Sequence, residues 1–130
     1  MRSVVICTSK RFKDEAHNFA QELEKLGVTV YEPDFRQVMP EDISFDSDHV
    51  KELVFTGLTL KHFDWIRKAD VCFIYNKDNY IGKSVTLEMG FATGQDKPIY
   101  ALTGETGDPC PNILIDKVAA TPQELATLLA

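Results

Sequence analysis

Glu88 is the residue of this chain whose surroundings ask for a chemical explanation. It lies in Gly82-Lys83-Ser84-Val85-Thr86-Leu87-Glu88-Met89-Gly90-Phe91-Ala92. On a helix, at about 100° per residue, Val85, Leu87, Met89, Phe91 and Ala92 form a broad apolar arc, and Glu88 projects from inside it. Thr86, Gly90 and Thr93 hold the polar side. An inward carboxylate is costly unless a partner, a ligand or a pocket stabilises it. The helix start favours an anion by only roughly 0.3–1 kcal/mol, whereas full burial can raise a carboxyl pKa by about 3–5 units. The expectation is a carboxylate in a cleft, partly solvated or held by hydroxyl donors from Ser9, Tyr80 or Ser84. The plain alternative is a helix near a sheet edge with Glu88 reaching solvent. A carboxylate held in a cleft can attack an electrophilic sugar carbon in the manner of a retaining glycosidase.

Leu60-Lys61-His62-Phe63-Asp64-Trp65-Ile66 supplies companions. His62 or Asp64 can orient Glu88 or protonate a departing group, and Trp65 reads as a core or interface residue. Several other motifs fail. Gly82-Lys83-Ser84 matches the end of a P-loop, but the earlier glycine would have to fall at Lys77. The segment Thr8-Ser9-Lys10-Arg11-Phe12 contains no glycine, which argues against a dinucleotide fingerprint. Cysteine and histidine spacings give no metal site, there is no GxSxG elbow, and no cofactor is expected.

The elements that must position these groups follow from the apolar pattern. Val4 to Cys7 is a short apolar run suited to a strand buried on both faces. Phe12, Ala16, Phe19, Ala20, Leu23 and Leu26 recur at helical spacing, and Gly27 is placed to end that helix. A second strand follows at 28–31. The stretch from Glu32 to about Asp48 reads as a long loop, a kind that is often functional. A helix over about 49–68, broken near Gly57, leads to the strand at 71–75, then the loop from Asn76 to Lys83. A helix over about 84–94, a strand at 98–102 and a short strand within 113–119 complete the sheet. Thr121-Pro122-Gln123-Glu124 reads as a capping box that starts a terminal helix. Alternating strands and helices imply right-handed crossovers and an α/β doubly wound parallel sheet of about five strands in three layers. Ligands in such sheets bind beyond the carboxyl ends of the strands, which points to Thr8–Phe12, Glu32–Asp48 and Asn76–Ser84.

The chain has 130 residues, 44% of them hydrophobic, which fits one domain spanning 1–130 with one core. A net charge of −6 gives no basic footprint for a nucleic-acid polymer. A mononucleotide needs only a few local donors, and Lys10, Arg11 and Lys83 lie near the candidate loops. Three separated cysteines fit reduced thiols, and the N-terminal apolar run is too short for a signal peptide or a membrane span. A cytoplasmic protein without membrane partners is the expectation.

These residues carry a likeness. Val4-Val5-Ile6-Cys7-Thr8-Ser9, Ala69-Asp70-Val71, Tyr80-Ile81-Gly82-Lys83-Ser84, Leu87-Glu88-Met89-Gly90-Phe91-Ala92 and Gln95-Asp96-Lys97-Pro98-Ile99 occur in order. In these segments the chain resembles the nucleoside 2-deoxyribosyltransferase family and the related deoxynucleoside 5'-monophosphate N-glycosidases. The resemblance implies a flavodoxin-like or Rossmann-like fold and Glu88 as nucleophile, forming a covalent deoxyribosyl intermediate. It also implies a small-molecule nucleoside or nucleotide as ligand, and a homo-oligomer. By the same resemblance Gly82 and Ser84 would contact the sugar or its 5' end, with Ser9 contributing from the first loop; Arg11, Asn76 and Tyr80, from the candidate loops themselves, complete the expected substrate contacts, and His62 or Asp64 is expected to assist Glu88. The chain differs from the family in carrying His62 where an aspartate is usual, and Lys10, Arg11 and Phe12 where the first loop often offers a tyrosine. An NAD or ribosyl-nucleotide glycohydrolase using the same glutamate, and a nucleotide-binding regulatory domain without catalysis, are the competing readings.

Overall fold

The computed structural model describes residues 1–33 and 47–130. Five parallel strands, β1 (Val4–Cys7), β2 (Val30–Tyr31), β3 (Val71–Ile74), β4 (Ile99–Ala101) and β5 (Lys117–Val118), form one sheet in the order β2-β1-β3-β4-β5. The helices are α1 (Lys13–Lys25), α2 (Asp48–Lys68), α3 (Lys83–Gly94), the single-turn α4 (Pro109–Asn112) and α5 (Pro122–Leu129). No helix among the described residues is long and apolar enough to cross a membrane.

Every residue of β1 and β3 is buried, because alternate side chains enter two cores on opposite faces. Val4, Ile6, Val71 and Phe73 meet α1 and α5 through Phe19, Leu23, Leu125 and Leu129. Val5, Cys7, Cys72 and Ile74 meet α2 and α3 through Ile66, Val85, Met89 and Ala92. β1 pairs with β3 from Val4↔Val71 to Cys7↔Ile74, so Cys7 ends β1 on the α2/α3 side. The chain runs outward from β1 to β2 and then crosses back to β3. The reversal of strand order therefore falls between β1 and β3, and the crevice beyond their carboxyl ends is the place such folds leave for a ligand.

Helix ends follow their local chemistry. Gly27 takes a left-handed φ of 89° after α1. Its N–H donates to Glu24 O at 2.9 Å, and that of Val28 donates to Leu23 O at 3.1 Å, the paired bonds of a Schellman stop. A side chain in that conformation costs roughly 1–2 kcal/mol. Gly27→Ala is therefore expected to destabilise the protein by about that amount in urea unfolding with an unchanged m-value, and a neutral result would contradict the assignment. At α5, Thr121 Oγ1 accepts from Glu124 N at 3.1 Å, while the Glu124 carboxylate accepts from Ala120 N at 2.7 Å. The forward bond is that of the expected box, and only the return bond is shifted by one residue, to Ala120 N.

Two further expectations are revised. α2 runs unbroken through Gly57, a residue a helix tolerates at about 1 kcal/mol. On α3 the buried stripe is Val85, Met89 and Ala92, and Leu87 is 58% exposed. The loop expected from Glu32 to Asp48 falls mainly outside the described residues.

Candidate active site

Three elements converge at the β1/β3 crevice. Cys7 ends β1 and faces α2 and α3. His62 lies one turn before the buried Ile66 on α2, so helical spacing aims both at the sheet. Glu88 lies between Val85 and Ala92 on α3 and flanks the buried stripe. Phe63, beside His62, stacks on Phe91 of α3 with ring centroids 4.2 Å apart. That stack fastens α2 to α3 one residue from His62 and three from Glu88.

The result is a compact cluster. His62 Nε2 lies 3.2 Å from Glu88 Oε2, with side-chain exposures of 8% and 15%. The same nitrogen lies 3.2 Å from Cys7 Sγ, which is 3.5 Å from Cys72 Sγ. The Trp65 and His62 rings meet in a T-shaped contact. Glu88 is the sixth residue of α3, beyond the first turn where the helix dipole acts. Its partner is an imidazole rather than one of the expected hydroxyls.

Burial sets the protonation of the pair. It pushes the Glu88 carboxyl up from an ordinary 4.5 to about 8, and it lowers His62 from 6.5 to about 4. Burial also raises the Cys7 thiol, with the neighbouring Cys72 and the Glu88 charge adding to it. At neutral pH the dominant arrangement is therefore a carboxylic acid beside a neutral imidazole, a pair sharing one ionisable proton. With values of about 8 and 4 the proton rests on Glu88, and placing it on His62 takes the mutual attraction of the resulting charges and a more polar, ligand-filled surrounding.

Two loops border the crevice. Tyr75 N donates to Cys7 O at 2.9 Å, and Thr8 Oγ1 donates to Tyr75 O at 3.0 Å, which ties the first loop to the end of β3. Ser9 caps the following helical turn by accepting from Arg11 N at 3.2 Å. The exposed Arg11 guanidinium lies 3.7 Å from the centre of the Tyr80 ring, and Phe12 meets the same ring edge-on. Gly82 is the residue from which α3 starts, and Ser84 is exposed in its first turn. In the turn before Tyr80, Asp78 and Asn79 hold φ of 56° and 59°, a left-handed conformation that their short polar side chains tolerate.

The expected site residues thus separate into groups. His62 and Glu88 are in contact. Ser9, Arg11 and Tyr80 form a second group on the two loops, next to Gly82 and Ser84. Asp64 points to the surface, where its carboxylate lies 3.0 Å from Lys68 Nζ at 52% exposure. Asn76 is fully buried. Its amide donates to Thr103 O, Thr103 Oγ1 and Glu105 O and accepts from Thr103 N, all within 3.0 Å. Its side chain is spent on holding the loop after β4. A cavity of about 480 Å³ along α2 is lined by Glu52, Phe55, Thr56, Thr59 and Leu60 and contains none of the expected site residues.

Cys7 is the member that the sequence does not single out, where it counts only as one of three separated reduced thiols. The available signal was its place as the last residue of β1, with the same facing as Val5. Cys7, His62 and Glu88 are also the one group of mixed metal-ligating side chains found among the described residues, with donor atoms all within 4.8 Å of one another.

No protein-family model matches the chain, and no curated protein matches it in sequence. Solved structures do match. A 2-deoxyribosyltransferase from the psychrotolerant bacterium Bacillus psychrosaccharolyticus superposes with a TM-score of 0.66 at 22% identity, over 95% of this chain and 90% of the other. A conserved protein from Enterococcus faecalis V583 gives 0.60 at 12% identity, covering 98% and 96%. A CMP N-glycosidase from Clostridium botulinum gives 0.55 at 16% identity, covering 98% and 97%. The five-stranded, all-parallel α/β architecture of this chain is therefore the fold of the 2-deoxyribosyltransferase and CMP N-glycosidase structures.

Proposed function

We propose that the chain cleaves or transfers the N-glycosidic bond of a 2'-deoxynucleoside or its 5'-monophosphate through a covalent glycosyl–Glu88 intermediate. The observation that carries this reading is the 3.2 Å contact between His62 Nε2 and Glu88 Oε2, nearly enclosed at the crevice where the strand order reverses. The fold shared with a 2-deoxyribosyltransferase and a CMP N-glycosidase supports it.

The chemistry follows from the shared proton. The Glu88 carboxyl passes its proton to His62 Nε2 as substrate enters, leaving a carboxylate facing the anomeric carbon. A carboxylate oxygen attacks that carbon while the bond to the base nitrogen breaks. The imidazolium delivers its proton to the departing base. Water or a second base then attacks the glycosyl ester and restores Glu88, with His62 taking up the incoming proton. Exclusion of water around the pair strengthens each electrostatic step. Arg11, Tyr80, Ser9, Gly82 and Ser84 hold the sugar and its 5' end in this reading, and the exposed guanidinium suits a phosphate.

Incubation with deoxyinosine, deoxynucleoside monophosphates, their ribose counterparts and NAD tests the substrate class by release of free base. Base should appear from the 2'-deoxy compounds alone. Release from NAD would replace this substrate class, and tight nucleotide binding without release would end the enzymatic reading.

The reading includes a homo-oligomer. The first turns of α2 expose Val50, Leu53, Phe55, Leu58 and Leu60, with Leu53 and Leu60 more than half exposed. Leu53 and Leu60 are seven residues apart and share one stripe with Val50 and Gly57. An apolar stripe exposed in this way among the described residues marks an interaction surface. Sedimentation should show a dimer or larger assembly that Leu53→Glu combined with Leu60→Glu converts to monomer. A parent chain that sediments as a monomer would contradict this.

A further inference from the structure

We propose that Cys7, His62 and Glu88 form a binding site for a borderline-soft divalent cation of the Zn²⁺ class, and that the bound ion switches the site off. The three donors are a thiol, an imidazole nitrogen and a carboxylate oxygen from three different elements. Sequence spacing could not show the set, because its members are separated by more than twenty residues.

Two of the three donor edges are close to those of a tetrahedral ion, and the third, between Cys7 sulfur and Glu88 oxygen, lies within 4.8 Å and closes as the side chains turn toward the ion. Bond lengths of about 2.3 Å to sulfur and about 2.0–2.1 Å to nitrogen and oxygen imply a sulfur–nitrogen edge of about 3.5 Å and a nitrogen–oxygen edge of about 3.3 Å. Cys7 Sγ and His62 Nε2 are 3.2 Å apart, as are His62 Nε2 and Glu88 Oε2. Shifts of a few tenths of an ångström would therefore place two edges at metal-site length. The residual exposure of Glu88 leaves a side from which an ion can enter and a fourth position for water. Thiolate and imidazole ligands suit Zn²⁺ and its soft neighbours, whereas Mg²⁺ and Ca²⁺ need oxygen donors.

As the metal–sulfur bond forms, the Cys7 thiol proton leaves to solvent. The proton shared by Glu88 and His62 leaves likewise, since both lone pairs are taken by the ion. The carboxylate is then no longer a nucleophile and Nε2 no longer carries a proton. The inhibitory half of this proposal rests on Glu88 being the nucleophile; the binding half does not.

The test uses the full chain, stripped with a chelator and kept reduced with a phosphine, titrated with Co²⁺ alone. One equivalent should bind with a near-ultraviolet thiolate-to-cobalt absorption and the visible bands of a tetrahedral site, and Zn²⁺ should bleach both. Cys7→Ser should remove the near-ultraviolet band, Glu88→Gln should weaken binding at least tenfold, and Cys110→Ser, an exposed thiol elsewhere, should keep both. Should Cys7→Ser lose its fold by circular dichroism, His62→Gln read by the visible bands takes its place. Absence of the thiolate band in the parent chain, or its loss in Cys110→Ser, would overturn the site. With a substrate in hand, one equivalent of Zn²⁺ should suppress base release at least a hundredfold, reversibly by chelator, and unaffected turnover would overturn the switch. A chain that binds Co²⁺ but releases base at no metal level keeps the site and loses the functional reading.

Discussion

Glu88→Gln is expected to lower base release by about 10³-fold or more while leaving the fold intact. The substitution is nearly isosteric, and it is close to charge-neutral at pH 7 because burial already holds most of the Glu88 carboxyl protonated, with a pKa of about 8. An amide at 3.2 Å from His62 Nε2 can still donate a hydrogen bond in place of the carboxyl. What it lacks is the capacity to give up a proton and attack a carbon. The loss should therefore appear in single-turnover kinetics on chelator-treated protein, with Tm kept within a few degrees. Retention of a tenth of the parent rate would show that the nucleophile lies elsewhere or that water attacks directly.

The second large effect is a pH dependence with a definite sign. In the proposed mechanism the Glu88–His62 pair must hold one proton, so kcat/KM should be bell-shaped in metal-free buffer, with limbs near 4 and 8. Below about 4 a second proton binds and the carboxyl is no longer relieved of its own. Above about 8 the shared proton is gone and the base departs without an acid. Stability should carry the same signature. The folded-state pKa of Glu88 is raised, so its contribution is full below 4.5 and is lost as pH climbs through about 8. That of His62 is depressed, so its contribution is present above 6.5 and is lost as pH falls through about 4.

The two slopes oppose each other between about 4.5 and 6.5 and leave stability nearly level there. From 6.5 to 8 the Glu88 slope dominates, and the parent chain should lose roughly 1–2 kcal/mol. Burial also raises the Cys7 thiol, a shift of the same sign as that of Glu88. Urea unfolding of the parent and of Glu88→Gln at pH 6.5 and pH 8 isolates the effect. The variant should show a flatter profile, and a parallel decline in both proteins would contradict a raised Glu88.

Much of the architecture is visible in the chain because it rests on local signals. The apolar runs at Val4–Cys7 and Val71–Ile74 mark strands buried on both faces, and Gly27 through its backbone bonds and Thr121 through its hydroxyl mark helix ends. Glu88 stood out for the same reason, since an acid within an apolar helical arc violates the pattern around it. The pattern could not say that Leu87 turns outward, because the arc drawn from α3 alone was broader than the stripe its neighbours cover. Nor could it separate His62 from Asp64. Both lie on α2, but only the 62 and 66 positions share the buried side.

Contacts made across elements were the least legible. Cys7 looks like any small strand residue until α2 brings an imidazole to its sulfur. Asn76 lies in the expected loop, yet its partners are Thr103 and Glu105, more than twenty-five residues away. The family likeness compensates for part of this, since it pointed to Glu88 and the glycine-containing loop without any knowledge of packing. At His62, where the chain departs from that likeness, the physical reading rests on packing alone.

One covalent bond decides the matter. Protein acid-quenched during turnover of a deoxynucleoside, then digested and weighed by mass spectrometry, should carry a single deoxyribosyl group on the peptide that contains Glu88, and Glu88→Gln should carry none. Steady release of base with the sugar attached to another peptide, or with no adduct even under rapid quench, would contradict a glycosyl ester on Glu88.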